Sequence, residues 1–143
     1  MTPFIDNYVL EDYDEVWTLH RKTVSENDGF VKNLSFHTDL HDILNVYEAF
    51  FIMREAERLV GMVGLKRVDA KTLEIKRLQI AKECQGRGYA RRLMSRAFEY
   101  AKANNISNLC LDVSEPQVNA RQLYLSLGFE ITRVEHRTLG GRQ

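Results

Sequence analysis

Residues 81–94 read AKECQGRGYARRLM, and within them Gln85-Gly86-Arg87-Gly88-Tyr89-Ala90 sets two glycines one residue apart in a basic turn. Glycine has no Cβ, so backbone N–H groups in such a turn can approach a ligand closely. A helix starting there adds the positive end of its dipole. That combination suits the cradling of phosphate oxygens. Two familiar phosphate loops fit poorly. A P-loop requires Lys followed by Ser or Thr after its last glycine, and no Lys stands there. A dinucleotide fingerprint requires a small residue where Arg91 stands, after the first strand of a βαβ unit rather than after several antiparallel strands.

The flanking segments must position this turn. Upstream, AFFIMREAERLVGMVGLKRV predicts two strands joined at Glu55 to Arg58, and TLEIKRLQIA alternates Leu73, Ile75 and then Leu78, Ile80 as a third, making a meander. Downstream, Ala90, Leu93, Met94, Ala97 and Ala101 recur at helical spacing, so one helical face packs on the sheet until Asn104 and Asn105 end it. Earlier, PFIDNYVL predicts a first strand, and Val16 with Leu19 marks a helix in EDYDEVWTLHRKTV. SFHTDLHDIL predicts a second short helix with Phe36, Leu40, Ile43 and Leu44 inward. NLCLDV reads as a buried strand. Pro116 then opens a helix with Ala120, Leu123, Tyr124 and Leu127 on one face, Gly128 stops it, and FEITRVEHRTL alternates as a final strand.

Composition narrows the function. The chain has 143 residues with 44% apolar content, which suits one domain over residues 1–143. Twenty basic residues balance twenty acidic ones and no basic stripe is present, which argues against a nucleic-acid partner. No signal-like N-terminus or 18-residue apolar run occurs, so the chain reads as cytoplasmic, without a membrane partner. Cys110 is expected to be a buried thiol and Cys84, beside the glycine turn, the more exposed one. His37 and His41 are spaced i, i+4, but Thr38 replaces the Glu of a zinc motif and no third ligand follows, so no metal is expected.

The Q-x-x-G-x-A turn between an alternating strand and an amphipathic helix resembles the acyl-CoA pyrophosphate loop of the GCN5-related N-acetyltransferase (GNAT) family. QVNARQLYLSLGF is similar to that family's late helix, with Ala120, Leu123, Tyr124, Gly128 and Phe129 matching. Gln117 stands where the family often has Asn, and the stretch after Phe129 is short for its closing hairpin. The order of elements agrees through Phe129. The resemblance implies an α/β (α+β) fold with a mixed, mostly antiparallel central sheet and helices on both faces. It also implies direct transfer of an acetyl group from acetyl-CoA to an amine.

By the same resemblance, Glu74 is the general base and Tyr124 the acid on the thiol side. The plainer alternatives are a solvated strand-end carboxylate and a core aromatic. The Leu78 N–H would polarise the thioester carbonyl, and the main chain of Leu78, Gln79 and Ile80 would pair with the pantetheine arm, their side chains only packing. Gln85, Arg87 and the amides of Gly86, Gly88, Tyr89 and Ala90 would meet the pyrophosphate, Arg91 and Arg92 would reach the ribose phosphate, and Gln117 and Asn119 share a further polar contact. Trp17, Phe30 and Phe36 lie in the region that shapes the acceptor pocket in relatives. The acidic run Glu11, Asp12, Asp14, Glu15 either attracts a cationic acceptor or favours a helix N-terminus. The implied activity is N-acetylation of a primary amine on a small molecule or peptide. A non-catalytic acyl-CoA sensor and a protein-modifying acetyltransferase are the alternatives. Oligomeric state stays open, a homodimer through exposed strands being common among such small domains.

Overall fold

The computed structural model describes residues 2–25, 34–112 and 118–129. Among these residues five strands lie in the order β1-β2-β3-β4-β5: β1 Phe4–Asn7, β2 Ala49–Glu55, β3 Arg58–Asp69, β4 Thr72–Ile80 and β5 Asn108–Cys110. The first four pair antiparallel and β5 joins β4 in parallel. Four α-helices accompany them among the described residues: α1 Tyr13–Ser25, α2 Ile43–Val46, α3 Tyr89–Ala103 and α4 Val118–Ser126. A 3-10 segment, Leu34–His41, precedes α2. This is the mixed, mostly antiparallel sheet that the family resemblance implies.

Adjacent β3 residues show that both faces are covered. A Cβ on Gly61 would lie 3.1 Å from Leu93 of α3, so that face packs tightly under α3. Met62, pointing the other way, is paired with Gln79, whose side chain meets His20 of α1. Leu93 and Met94 are fully buried, each burial worth about 1.5–3 kcal/mol. Tyr89 is buried at the start of α3 and Ala90 only half-buried, so the inward stripe begins one residue earlier than its spacing suggests. Between β2 and β3, Glu55 pairs with Arg58 across a two-residue turn, Ala56-Glu57, with φ of +52° and +67°.

Several expectations change. The second short helix is a 3-10 segment followed by a separate α2; Leu40 and Ile43 are buried as expected, but Leu44 is 62% exposed. β5 is three residues long, and its outer side has no strand beside it among the described residues, so Cys110 is exposed rather than buried. Cys84 is the buried thiol, because a 3-10 turn over Lys82–Cys84 folds it into the core. Asp12 and Glu15 are spent on Arg54, at 2.6 and 2.8 Å, and Asp12 also accepts the Val9 N–H; these two carboxylates staple the start of α1 to β2 and do not face an acceptor as free charges. Phe30, Pro116 and the final strand lie outside the described residues, as do the side chains of Phe36 and His37.

Candidate active site

The glycine turn is fastened to the end of β4. The Ala81 N–H donates to the Val60 carbonyl at 2.8 Å, and Gln85 Nε2 donates to the Ile80 carbonyl at 3.1 Å. Gly86 and Gly88 take φ of +82° and +81°, the left-handed conformation that other residues adopt only at a cost. A Cβ on either would meet nothing within 4 Å, so the turn opens onto free space. Gly88 is the N-cap of the 15-residue α3, with no side chain bonded across the cap and no acidic residue in the first turn. The positive end of the helix is thus left for an incoming anion.

Glu55 organises the turn's side chains. Its carboxylate accepts the Tyr89 hydroxyl, lies 3.9 Å from Cys84 Sγ, and sits 3.6 Å from the half-exposed Arg87 guanidinium. The bond to Glu55 holds the Tyr89 phenol above its ordinary pKa. Arg91 donates to Ser126 Oγ at 2.6 Å, tying α3 to α4, and Arg92 donates to the Pro3 carbonyl at 3.1 Å.

Immediately upstream, β4 is bent. Gly64 pairs with Lys76 and Met62 with Gln79, so two β4 residues, Arg77 and Leu78, stand opposite Val63 in a bulge, and Arg77 has φ of +60°. On its other side β4 pairs with β5 only through Thr72, Leu73 and Glu74. From Ile75 to Ile80 that edge has no strand against it among the described residues, and it leads directly into the glycine turn.

The bulge region carries side chains that sequence reasoning missed. Arg77 grips Asp39 of the 3-10 segment through Nε at 2.9 Å and Nη2 at 2.6 Å, and Tyr47 Oη donates to Asp39 Oδ2 at 2.5 Å. Gln79 Nε2 lies 3.1 Å from Nδ1 of the buried His20, so the Gln79 side chain does more than pack. Trp17 is flanked by His20 and His41, with ring centroids at 5.7 and 4.8 Å, and His41 Nδ1 bonds the Tyr13 hydroxyl. Of these, Trp17, His41 and Gln79 drew attention in the sequence and His20 did not; Asp39, Tyr47 and Arg77 are separated along the chain and match no local motif.

Desolvation of Asp39 is outweighed by its hydrogen bonds to Arg77 and Tyr47, which lower its pKa from 3.8 to about 2. Its folded-state pKa being depressed, its contribution to stability is fully present above the unfolded value of 3.8 and is lost as pH falls through about 2. The expected size is about 2 kcal/mol. In urea melts, the stability difference between wild type and Asp39→Asn should therefore hold steady from pH 7 to 5 and shrink below pH 4. A difference independent of pH would show that the carboxylate charge does not matter.

Glu74 is half-buried on β4, opposite Lys66, at the last position that pairs with β5 before the edge opens. Tyr124 of α4 is half-buried with its ring edge-on to Phe129, and burial raises the pKa of its phenol above its ordinary value. Gln117 lies outside the described residues, and for Asn119 only the helical backbone is described. A separate cavity of about 340 Å³ is lined by Lys22, Arg58, Lys82 and Glu83 among others; of the candidate site residues singled out in the sequence it takes only Asp14 and Glu15 of the acidic run, and none of those expected to meet acetyl-CoA.

An antiparallel sheet joined at one edge by a parallel strand, with a bulge before an uncapped glycine turn, defines an acyltransferase-like α+β fold. Comparison with known proteins makes this specific. Residues 7–129 match the model of the Acetyltransferase (GNAT) family, and the chain belongs to that family. Human N-acetyltransferase 8B is 34% identical over 110 residues, covering 70% of this chain and 48% of the relative. The zebrafish (Danio rerio) N-acetylaspartate synthetase is 32% identical over 114 residues, covering 75% of this chain and 40% of the relative. The chain thus spans about half the length of the curated relatives it matches, or less. Among solved structures, a GNAT-family acetyltransferase from Staphylococcus aureus superposes with a TM-score of 0.86 at 20% identity, covering 92% of this chain and 87% of that one. The PaiA N-acetyltransferase of Thermoplasma acidophilum, in complex with coenzyme A, gives 0.80 at 17% identity and covers 94% of both chains.

Proposed function

We propose that residues 1–143 form one acetyltransferase domain that moves an acetyl group from acetyl-CoA directly to a primary amine of a small molecule or peptide. The observation that carries this reading is the open β4 edge, Ile75–Ile80, running from the bulge into the uncapped turn at α3. Such an edge can accept an extended pantetheine arm as an added strand while the turn takes the pyrophosphate. The coenzyme A bound by the Thermoplasma protein, which shares the fold, supports it.

In this reading the main chain of Leu78, Gln79 and Ile80 aligns the arm, and the Leu78 N–H polarises the thioester carbonyl. Gly86, Gly88, Tyr89 and Ala90 offer amides to the phosphates, Arg87 adds charge, and Gln85 holds the turn in place. Arg91 retains donors beyond the one given to Ser126. Glu74 takes one proton from the acceptor ammonium. As the C–N bond forms and the C–S bond breaks, Tyr124 gives its proton to sulfur and regains one from the amide nitrogen. None of these steps draws on a metal. No helix among the described residues is long and apolar enough to cross a membrane. The balanced charge fits an enzyme with no nucleic-acid partner, and we place that enzyme in the cytoplasm.

Acetyl-CoA should bind and protect the fold by about 2.7 kcal/mol at a hundredfold excess over Kd. A panel of amines, amino acids and peptide N-termini should contain an acceptor that releases free thiol. Binding without thiol release across the panel would favour a sensor over an enzyme. The absence of CoA binding by both calorimetry and thermal shift would refute the proposal.

A further inference from the structure

Arg77 holds a left-handed backbone, φ +60°, in the middle of a strand. For a residue with a Cβ this costs about 1–2 kcal/mol and persists only where the surroundings enforce it. The surroundings here are specific. Asp39 takes the guanidinium through two nitrogens, and Tyr47 takes the same carboxylate. Tyr47 is itself fixed against β3: a Cβ on Gly64 would lie 2.7 Å from its ring, and Gly64 pairs with Lys76, the residue before Arg77. The Tyr47 ring also meets Phe50 edge-on at 5.2 Å. The grip therefore ties the 3-10 segment, the start of β2 and the bulge at one point. Both charged partners are less than one-fifth exposed, so solvent screens the pair weakly.

The peptide that joins Arg77 to Leu78 is planar, so fixing the Arg77 backbone fixes the direction of the Leu78 N–H. We propose that Asp39, seconded by Tyr47, is a positioning residue for acyl transfer, gripping Arg77 so that the bulge aims the Leu78 N–H at the thioester oxygen. This rests on the role assigned to Leu78 above. Asp39 touches neither the donor nor the acceptor. Its effect on the reaction passes through the backbone of Arg77.

The experiment reads the carbonyl itself. Isotope-edited infrared difference spectra of carbonyl-labelled acetyl-CoA bound without acceptor report how strongly the site polarises the thioester, and steady-state kinetics run beside them. In wild type the bound band should lie below that of free acetyl-CoA. In Asp39→Asn it should return toward the free position while kcat falls by about 10- to 100-fold and the Kd for CoA stays within about twofold. Tyr47→Phe, which keeps the ring, should move the band and kcat in the same direction by less, and it serves if Asp39→Asn does not fold. A wild-type band position and wild-type kcat in folded Asp39→Asn or Tyr47→Phe overturn the proposal, since a purely structural grip would change only the melting temperature. A wild-type band that matches free acetyl-CoA, with CoA bound, overturns the Leu78 role and this inference together. Failure to bind CoA would instead defeat the functional reading on which both depend.

Discussion

Tyr124→Phe is expected to lower kcat by about 10²- to 10⁴-fold at saturating acetyl-CoA, the usual contribution of a positioned acid or base. The ring of Tyr124 packs edge-on to Phe129, and phenylalanine retains that contact, so α4 should stay in place and CoA affinity should change little. What is lost is a phenol, protonated at neutral pH and pushed further up by burial, that can deliver a proton to a departing thiolate. Glu74→Gln should leave a different trace. Its deficit should shrink as pH rises toward the amine's own pKa, because solvent then supplies the free base. Reading both at saturating acetyl-CoA separates slower chemistry from weaker binding. Wild-type kcat in Tyr124→Phe would make Tyr124 a core residue, and a pH-independent, wild-type kcat/KM in Glu74→Gln would make Glu74 a strand-end carboxylate.

Gly88→Val is expected to weaken CoA binding by about 10²- to 10⁴-fold while the protein remains folded. A side chain there has room, since nothing lies within 4 Å of the added Cβ; the difficulty is the backbone at φ +81°. A β-branched residue is a poor fit to that conformation, so the turn should relax and turn its amides away. Losing two charge-assisted hydrogen bonds at about 1.5–3 kcal/mol each accounts for the predicted range. Gly88→Asn distinguishes conformation from space, because asparagine tolerates the left-handed region and should keep more of the affinity. Titration calorimetry measures both variants. An unchanged Kd in folded Gly88→Val would place the pyrophosphate elsewhere.

The glycine turn was legible because its signal is local: Gln85 through Ala90 carry the conformation and the close approach in adjacent residues. The β2–β3–β4 meander and α3 were legible for a similar reason, since alternation and helical spacing are properties of a short window. The exposures of Cys84 and Cys110 were misjudged because burial depends on what lies opposite. A 3-10 turn hides Cys84, and an edge position exposes Cys110, in conflict with the apolar run around it. The bulge left a trace that went unread: the apolar positions change phase from Leu73 and Ile75 to Leu78 and Ile80, one residue too many for strict alternation, and the register with β3 places the extra residue at Arg77 and Leu78. Asp39 and Arg77 are 38 positions apart, and neither has a sequence neighbour that announces the pair.

The turn between β2 and β3 has a practical consequence. Two positive φ angles in a row are what Asn-Gly supplies at little cost, yet Ala56 and Glu57 stand there. Each holds about 1–2 kcal/mol of avoidable strain. Rewriting the pair as Asn-Gly would convert part of that strain into a stability reserve, raising the threshold at which a damaging change elsewhere unfolds the chain. Such a background would let Gly88→Val or Asp39→Asn be assayed as folded proteins, so that a lost activity reports chemistry and not collapse.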